Sequence, residues 1–154
     1  MCLHWREEFK AGNYTLLVSS YVALDSKFKK ARSSLEPQFG VYLDNIWDEV
    51  TTPYPKTVID WPDTGAIELD ELNQLVSEIK SMLKQGMVID IACIMGHGRT
   101  GTLLACLLVE LEGMGAAQAV TAVRSRHCEC AVEFAAQERL VKRFASSHIV
   151  KNGT

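Results

Sequence analysis

Between residues 69 and 86 the apolar positions recur at helical spacing, and on either side they come in short unbroken runs. Leu69, Leu72, Leu75, Val76, Ile79, Met82 and Leu83 share one face of the helix this spacing predicts, with Gly86 placed to close it. Upstream, YTLLVSSYVAL (14–24) predicts one or two short strands. FGVYLD (39–44) and KTVIDW (56–61) predict short buried strands separated by the proline-marked TTPYP. The basic, polar stretch 25–38 ends near a proline and reads as a surface segment. MVIDIA (87–92) has the length and composition of an interior strand, and helical patterns follow near 99–112, 115–126 and 134–148. Strands alternating with helices, then a helical last third, predict a compact α/β domain with a largely parallel central sheet flanked by helices.

At 154 residues, 47% of them hydrophobic and 23% charged, one domain spanning 1–154 is the expectation. A net charge of −3 argues against nucleic acid or an anionic membrane as a general partner. No apolar run reaches the roughly 18 residues of a spanning helix, and MCLHWREEFK is charged where a signal peptide is apolar. These features predict no membrane insertion and a cytoplasmic location. Cys2, Cys93, Cys106, Cys128 and Cys130 are odd in number and lack framework spacing, which argues against a disulfide scaffold. Cys128 and Cys130 sit beside His127, but zinc needs about four ligands and no second Cys/His pair follows at finger spacing. The sequence therefore predicts neither a metal nor a cofactor.

The chemistry concentrates in CIMGHGRTG (93–101), between the strand of 87–92 and the helix of 99–112. Its G-x-G-x-x-G alone suggests a dinucleotide turn, yet no second βαβ strand follows with an acidic end, and too little chain remains for a substrate domain. A nucleoside-triphosphate loop fails as well, since no Lys-Ser/Thr follows the glycines. A buried cysteine at a strand end is the plainest alternative. What favours chemistry is the spacing Cys-x5-Arg across a glycine-rich turn. Such a turn can aim successive N–H groups at one point, joined there by the N-terminus of the next helix. A thiolate gains from those donors, and Arg99 can grip a tetrahedral oxyanion with two parallel hydrogen bonds. Thr100 can stabilise a departing thiolate, Asp63 in WPDTG supplies a loop acid, and Gln137 in AVEFAAQ supplies an amide able to position water.

With these residues the chain resembles the cysteine-dependent protein tyrosine and dual-specificity phosphatases. ACIMGHGRTGT matches their phosphate-binding loop, DWPDTG their mobile acid loop and AVEFAAQ their glutamine segment, over roughly residues 56–144. The resemblance implies a compact phosphatase-like domain in which Cys93 is the nucleophile of a phosphocysteine intermediate. It implies phosphate binding by Arg99 and the backbone of Ile94, Met95, Gly96, His97 and Gly98. Asp63 becomes the general acid, with Asp60 as rival, and Gln137 the residue that orients water. The implied substrate is a phosphorylated protein or peptide, on tyrosine first and on serine or threonine second. A phosphoinositide or the 5′ end of RNA is the alternative substrate on the same loop, and a catalytically weak phosphate-binding module the alternative function. Two departures stand out. Ala92 occupies the place where the family usually has a loop-holding histidine, which implies a weaker nucleophile or the inactive module. His97 either adds positive charge near the substrate when protonated or simply faces solvent. Lys27, Lys29, Lys30 and Arg32 mark the expected substrate-facing surface.

Overall fold

Phe9 and Ala11 point inward while Glu8 and Lys10 point out, which makes Glu7–Ala11 a strand (β1) that the charged sequence did not predict. Gly12 and Asn13 close a two-residue hairpin, with Gly12 at φ +59°, and return the chain antiparallel as β2 (Tyr14–Ser20). The computed structural model describes residues 2–25 and 30–152, with side chains through His148. Lys27 and Lys29 of the expected basic surface lie outside the described residues, whereas Lys30 and Arg32 are exposed.

The remaining elements are β3 (Phe39–Tyr42), β4 (Lys56–Val58), α1 (Leu69–Lys84), β5 (Ile89–Cys93), α2 (Gly98–Glu112), α3 (Ala116–Arg126) and α4 (Ala135–Asn152). The strands lie in the order β1-β2-β5-β3-β4, parallel except for the first pair. The sheet is thus largely parallel, as the alternation predicted. The strand expected over 56–61 stops at Val58, because Ile59 turns its N–H to the carbonyl of Tyr42 and the chain leaves towards Trp61.

One face of the sheet carries Val18, Val41, Ile89 and Ile91 against apolar residues of all four helices. Every residue of α2 from Gly98 to Val109 is buried, consistent with a helix that is hydrophobic all round and enclosed by its neighbours. The other face has Tyr42, Trp47 and Ala92, with Trp5, Tyr21, Ile46 and Tyr54 packed over them and no residue of α1 to α4. Helices therefore cover one side, and short 3₁₀ turns at Tyr21–Ala23 and Asn45–Glu49 cover the opposite one. No single described helix is long and apolar enough to cross a membrane.

Asp90, in the central strand, is 2% exposed. Ser19 Oγ donates to it at 2.8 Å and Tyr42 Oη at 2.9 Å, and Tyr42 shares a further 2.6 Å hydrogen bond with Tyr54. Burial nevertheless dominates and pushes the carboxyl up to about 6. An acid whose pKa rises on folding stabilises the fold while protonated. That contribution is complete below pH about 4 and is lost as the pH rises through about 6. A rise of this size corresponds to roughly 3 kcal/mol. Asp90→Asn, which cannot ionise, is expected to flatten the fall in stability between pH 4 and 7. Thermal melts across that range check it, and parallel curves for the two chains would remove Asp90 as the cause.

Candidate active site

β5 ends at Cys93 and α2 begins at Gly98, so residues 94–97 form the turn between them. All five carbonyls from Cys93 to His97 are held from outside this turn. Trp47 Nε1 donates to the Cys93 carbonyl at 3.2 Å, and the backbone N–H of Val22 to that of Ile94, also at 3.2 Å. Ser20 Oγ donates to Met95 at 2.5 Å, and His127 Nε2 to Gly96 at 2.7 Å. The His97 carbonyl accepts from Gly101 N at 2.8 Å and from Val132 N at 3.4 Å. A trans peptide points its N–H opposite to its C=O, and the described chain has no cis bond. Holding these carbonyls outward therefore turns the N–H groups of residues 94–98 to the inner side. The amide of Gly96 is seen there, donating to Cys93 Sγ at 3.2 Å. The first, unpaired amides of α2 lie next in the chain. The result is a concave array of donors around a thiol, suited to a tetrahedral oxyanion.

Glycine is required where the loop bends most. Gly96 has φ +83°, and a Cβ there would meet Ser20 Oγ at 3.0 Å and the Ser19 carbonyl at 3.2 Å. At Gly98 a Cβ would meet the Gln137 amide, at 3.0 Å from Oε1 and 3.1 Å from Nε2.

Arg99 is 2% exposed. Its Nη1 donates to Asp44 Oδ2 at 2.6 Å, to the Trp61 carbonyl at 2.9 Å and to the Leu43 carbonyl at 3.1 Å. Nη2 pairs with Asp63 Oδ1 at 3.2 Å. With Nη1 spent, Nε and Nη2 are the edge left for a bidentate ligand. The acid loop is organised around Trp61, 1% exposed, whose Nε1 donates to the Gly65 carbonyl at 3.0 Å. Asp63 itself stays 75% exposed.

Arg99 and Asp63 thus meet, and Arg99 stands one residue into the helix that follows the Cys93 loop. Thr100 is fully buried beside them in sequence, and its Oγ1 has no hydrogen-bond partner. Asp60 is exposed and makes no ion pair with Arg99 among the described residues. Gln137 is fully buried. Its Oε1 accepts from the amides of Glu133 (3.1 Å) and Phe134 (3.3 Å), and Nε2 donates to the Asp63 carbonyl at 3.2 Å. In this arrangement the glutamine ties the acid loop to the start of α4.

His97 corrects the expectation that it faces solvent. It is 7% exposed, so it does not face solvent, and its Nε2 donates to the Cys2 carbonyl at 3.1 Å. Burial first, then neighbouring His4, lowers its pKa and so disfavours the charged form. Asp44 and Trp47 are the site residues that sequence reasoning missed. Asp44 also caps the 3₁₀ turn by accepting from Ile46 N at 2.8 Å, so an Asp before NIW carried a cap signal but no sign of Arg99. Ala92 is fully buried among Tyr42 and Trp47, and the indole N–H holds the loop carbonyl next to it.

The fold and the family match place this chain among the tyrosine and dual-specificity phosphatases. Residues 35–114 match the family described as polymorphic toxin system, DSP-PTPase phosphatase, and the chain belongs to that family. An uncharacterized protein of Methanocaldococcus jannaschii is 31% identical over 116 residues, which are 71% of this chain and 77% of that protein. The Danio rerio protein tyrosine phosphatase domain-containing protein 1 is 32% identical over 95 residues, 61% of this chain but 13% of that protein. Among solved structures, Tk-PTP in its active form superposes with a TM-score of 0.72 at 19% identity, over 92% of this chain and 98% of that one. A kinase associated phosphatase with serine at its catalytic cysteine gives 0.73 at 15% identity, over 93% and 96%. These two likenesses establish the shared fold.

Trp47→Phe leaves an aromatic ring, though a smaller one, beside Tyr42, on which the indole stacks at 4.0 Å, and removes the donor to the Cys93 carbonyl. Leaving that carbonyl unpaired costs about 1–3 kcal/mol, or about 2–4 °C in Tm per kcal/mol. The affinity for tungstate is expected to fall as well. Melting and tungstate binding equal to the parent's would show that the indole does not hold the loop.

Proposed function

We propose that this phosphatase hydrolyses phosphorylated proteins or peptides, phosphotyrosine foremost, through a covalent phosphocysteine. The observation that carries this reading is the set of five outward-held carbonyls, which leaves donors on the inner side around Cys93 Sγ. The three non-bridging oxygens of a phosphate would meet those amides and the free edge of Arg99, where charge accumulates in transfer. Sγ attacks phosphorus and the bond to the leaving oxygen breaks, while Asp63 gives that oxygen its proton. Water then attacks the phosphocysteine and passes a proton to Asp63, and the S–P bond breaks to return the thiolate and phosphate. Thr100, with its unpartnered buried hydroxyl, is placed in sequence to stabilise that thiolate. Gln137 acts chiefly by holding the acid loop, with its remaining Nε2 hydrogen available to water.

The recessed thiol, 3% exposed, favours the long phosphotyrosyl side chain over phosphoserine. Trp47 weakens the case for an inactive module, because it supports the loop carbonyl that Ala92 leaves without a histidine. The net charge of −3 argues against RNA, and beyond the short stretch 25–38 the sequence offers no extended basic tract to mark a lipid surface.

Cys93→Ser is expected to abolish turnover of para-nitrophenyl phosphate and phosphotyrosyl peptide while retaining peptide binding, since serine keeps the shape without an accessible anion. Substantial residual hydrolysis would sink the covalent mechanism. Asp63→Asn is expected to slow phosphotyrosyl peptide about 10²-fold, and an ester with an activated leaving group far less. Asp60→Asn should behave as the parent on both. Equal losses on the two esters would give Asp63 a loop-holding role instead.

A further inference from the structure

The turn Cys128-Glu129-Cys130, read alone, lacks the ligands for a metal, but folding brings it others. Cys2, His97 and Cys128 each present a ligand atom, and the three atoms lie within 4.8 Å of one another. They come from the N-terminal segment, the phosphate loop and the turn after α3, positions that no sequence spacing links. We propose that they form a binding site for a soft divalent transition ion, zinc by the chemistry of the set.

Two thiols and an imidazole are among the donors zinc prefers, and here folding rather than sequence spacing brings them together. His97 Nε2 already donates to the Cys2 carbonyl, which holds the ring against the N-terminal segment that carries the first thiol. The two thiol sulfurs lie within that same 4.8 Å of each other, close enough to share one ion. Binding releases both thiol protons, and two thiolates neutralise the dication. Water completes the tetrahedron. Beside the set His4, 4% exposed, has an Nε2 without a hydrogen-bond partner, and its ring lies 5.3 Å from that of His97. A metal-bound water is a fitting partner for that nitrogen.

The neighbouring group of His4, Glu7 and His127 is different. There His4 Nδ1 is taken by Glu7 at 2.8 Å and His127 Nε2 by the Gly96 carbonyl, so hydrogen bonds account for the cluster. Bound zinc would fasten the outer side of the phosphate loop, through His97, to the N-terminal segment.

The test uses the Cys93→Ser chain, so that the nucleophilic thiol cannot take the ion and no turnover is read. Metal-free reduced protein is titrated with Zn²⁺ against a chromophoric chelator and, in parallel, with Co²⁺ for a sulfur-to-metal charge-transfer band of tetrahedral cobalt. One equivalent per chain is expected. Adding Cys2→Ser or Cys128→Ser should weaken binding by more than the roughly 10–100-fold that loss of an outer partner costs. Cys2 is half-buried in the N-terminal segment, outside the strands and helices, so its variant keeps the test valid if Cys128→Ser misfolds. Cys130→Ser, altering an exposed thiol of the same turn, should bind like its parent. Absence of stoichiometric binding, equal binding by Cys2→Ser, or loss in Cys130→Ser would overturn the assignment. So would a Cys2–Cys128 disulfide that forms in air even with zinc in excess.

Discussion

Carbonyl and amide point in opposite directions across a trans peptide, so a loop cannot turn its N–H groups inward unless its carbonyls find donors outside. From Cys93 to His97 those donors come from an indole, a serine, a histidine and three backbone amides, contributed by four separate parts of the chain. None is itself a candidate for phosphate chemistry. The rest of the fold can be understood as what brings them there: the end of β2 supplies Ser20 and Val22, the turn after β3 supplies Trp47, and the turn after α3 supplies His127. An anion-binding loop of this kind is an interior surface turned towards a ligand, and its preorganisation is purchased by its back.

Arg99 imposes the second constraint. A guanidinium 2% exposed would be costly without compensation, and two carbonyls and two carboxylates meet it. Because those acceptors lie after β3 and in the acid loop, one side chain from α2 fixes both segments relative to Cys93. The same contacts orient the planar fork, which leaves one edge rather than the whole group for an oxyanion. Asp44 is thereby structural and electrostatic at once: it neutralises part of the charge and, through its cap, sets the turn that delivers Trp47.

Local chemistry made much of this legible. The apolar stripe of α1, the run of β5 and the Cys-x5-Arg turn are each carried by neighbours in sequence, and the structure places them as the pattern implied. β1 was concealed because Glu7, Glu8 and Lys10 outweigh the alternation of Phe9 and Ala11. Asp44, Trp47 and Ser20 were hidden for another reason. Their bonds to the loop span 46 to 75 residues, and nothing in a local window marks a tryptophan as the donor to one chosen carbonyl. His97 was misjudged on the same account, since its burial depends on the N-terminal segment. In sequence Gln137 reads only as an amide that positions water; its tie to the acid loop depends on Gly98, whose lack of a side chain lets the amide lie against the phosphate loop.

The acid loop resolves a conflict between mobility and precision in the same economy of contacts. Its root is buried: Trp61 sits in the core, with its carbonyl on Arg99 and its indole on Gly65. Its tip is not, and Asp63 remains hydrated while its backbone is tied to Gln137 and its carboxylate to Arg99. The role proposed for Asp63 as proton donor would need contact with solvent and a fixed approach to the leaving group. Anchoring the loop through backbone carbonyls rather than through the carboxylate alone meets both needs. When an oxyanion takes the free edge of Arg99, Asp63 can yield its place on Nη2 without releasing the loop. The competition between Asp63 and a bound phosphate for that one nitrogen is then local, and the geometry around Cys93 survives it.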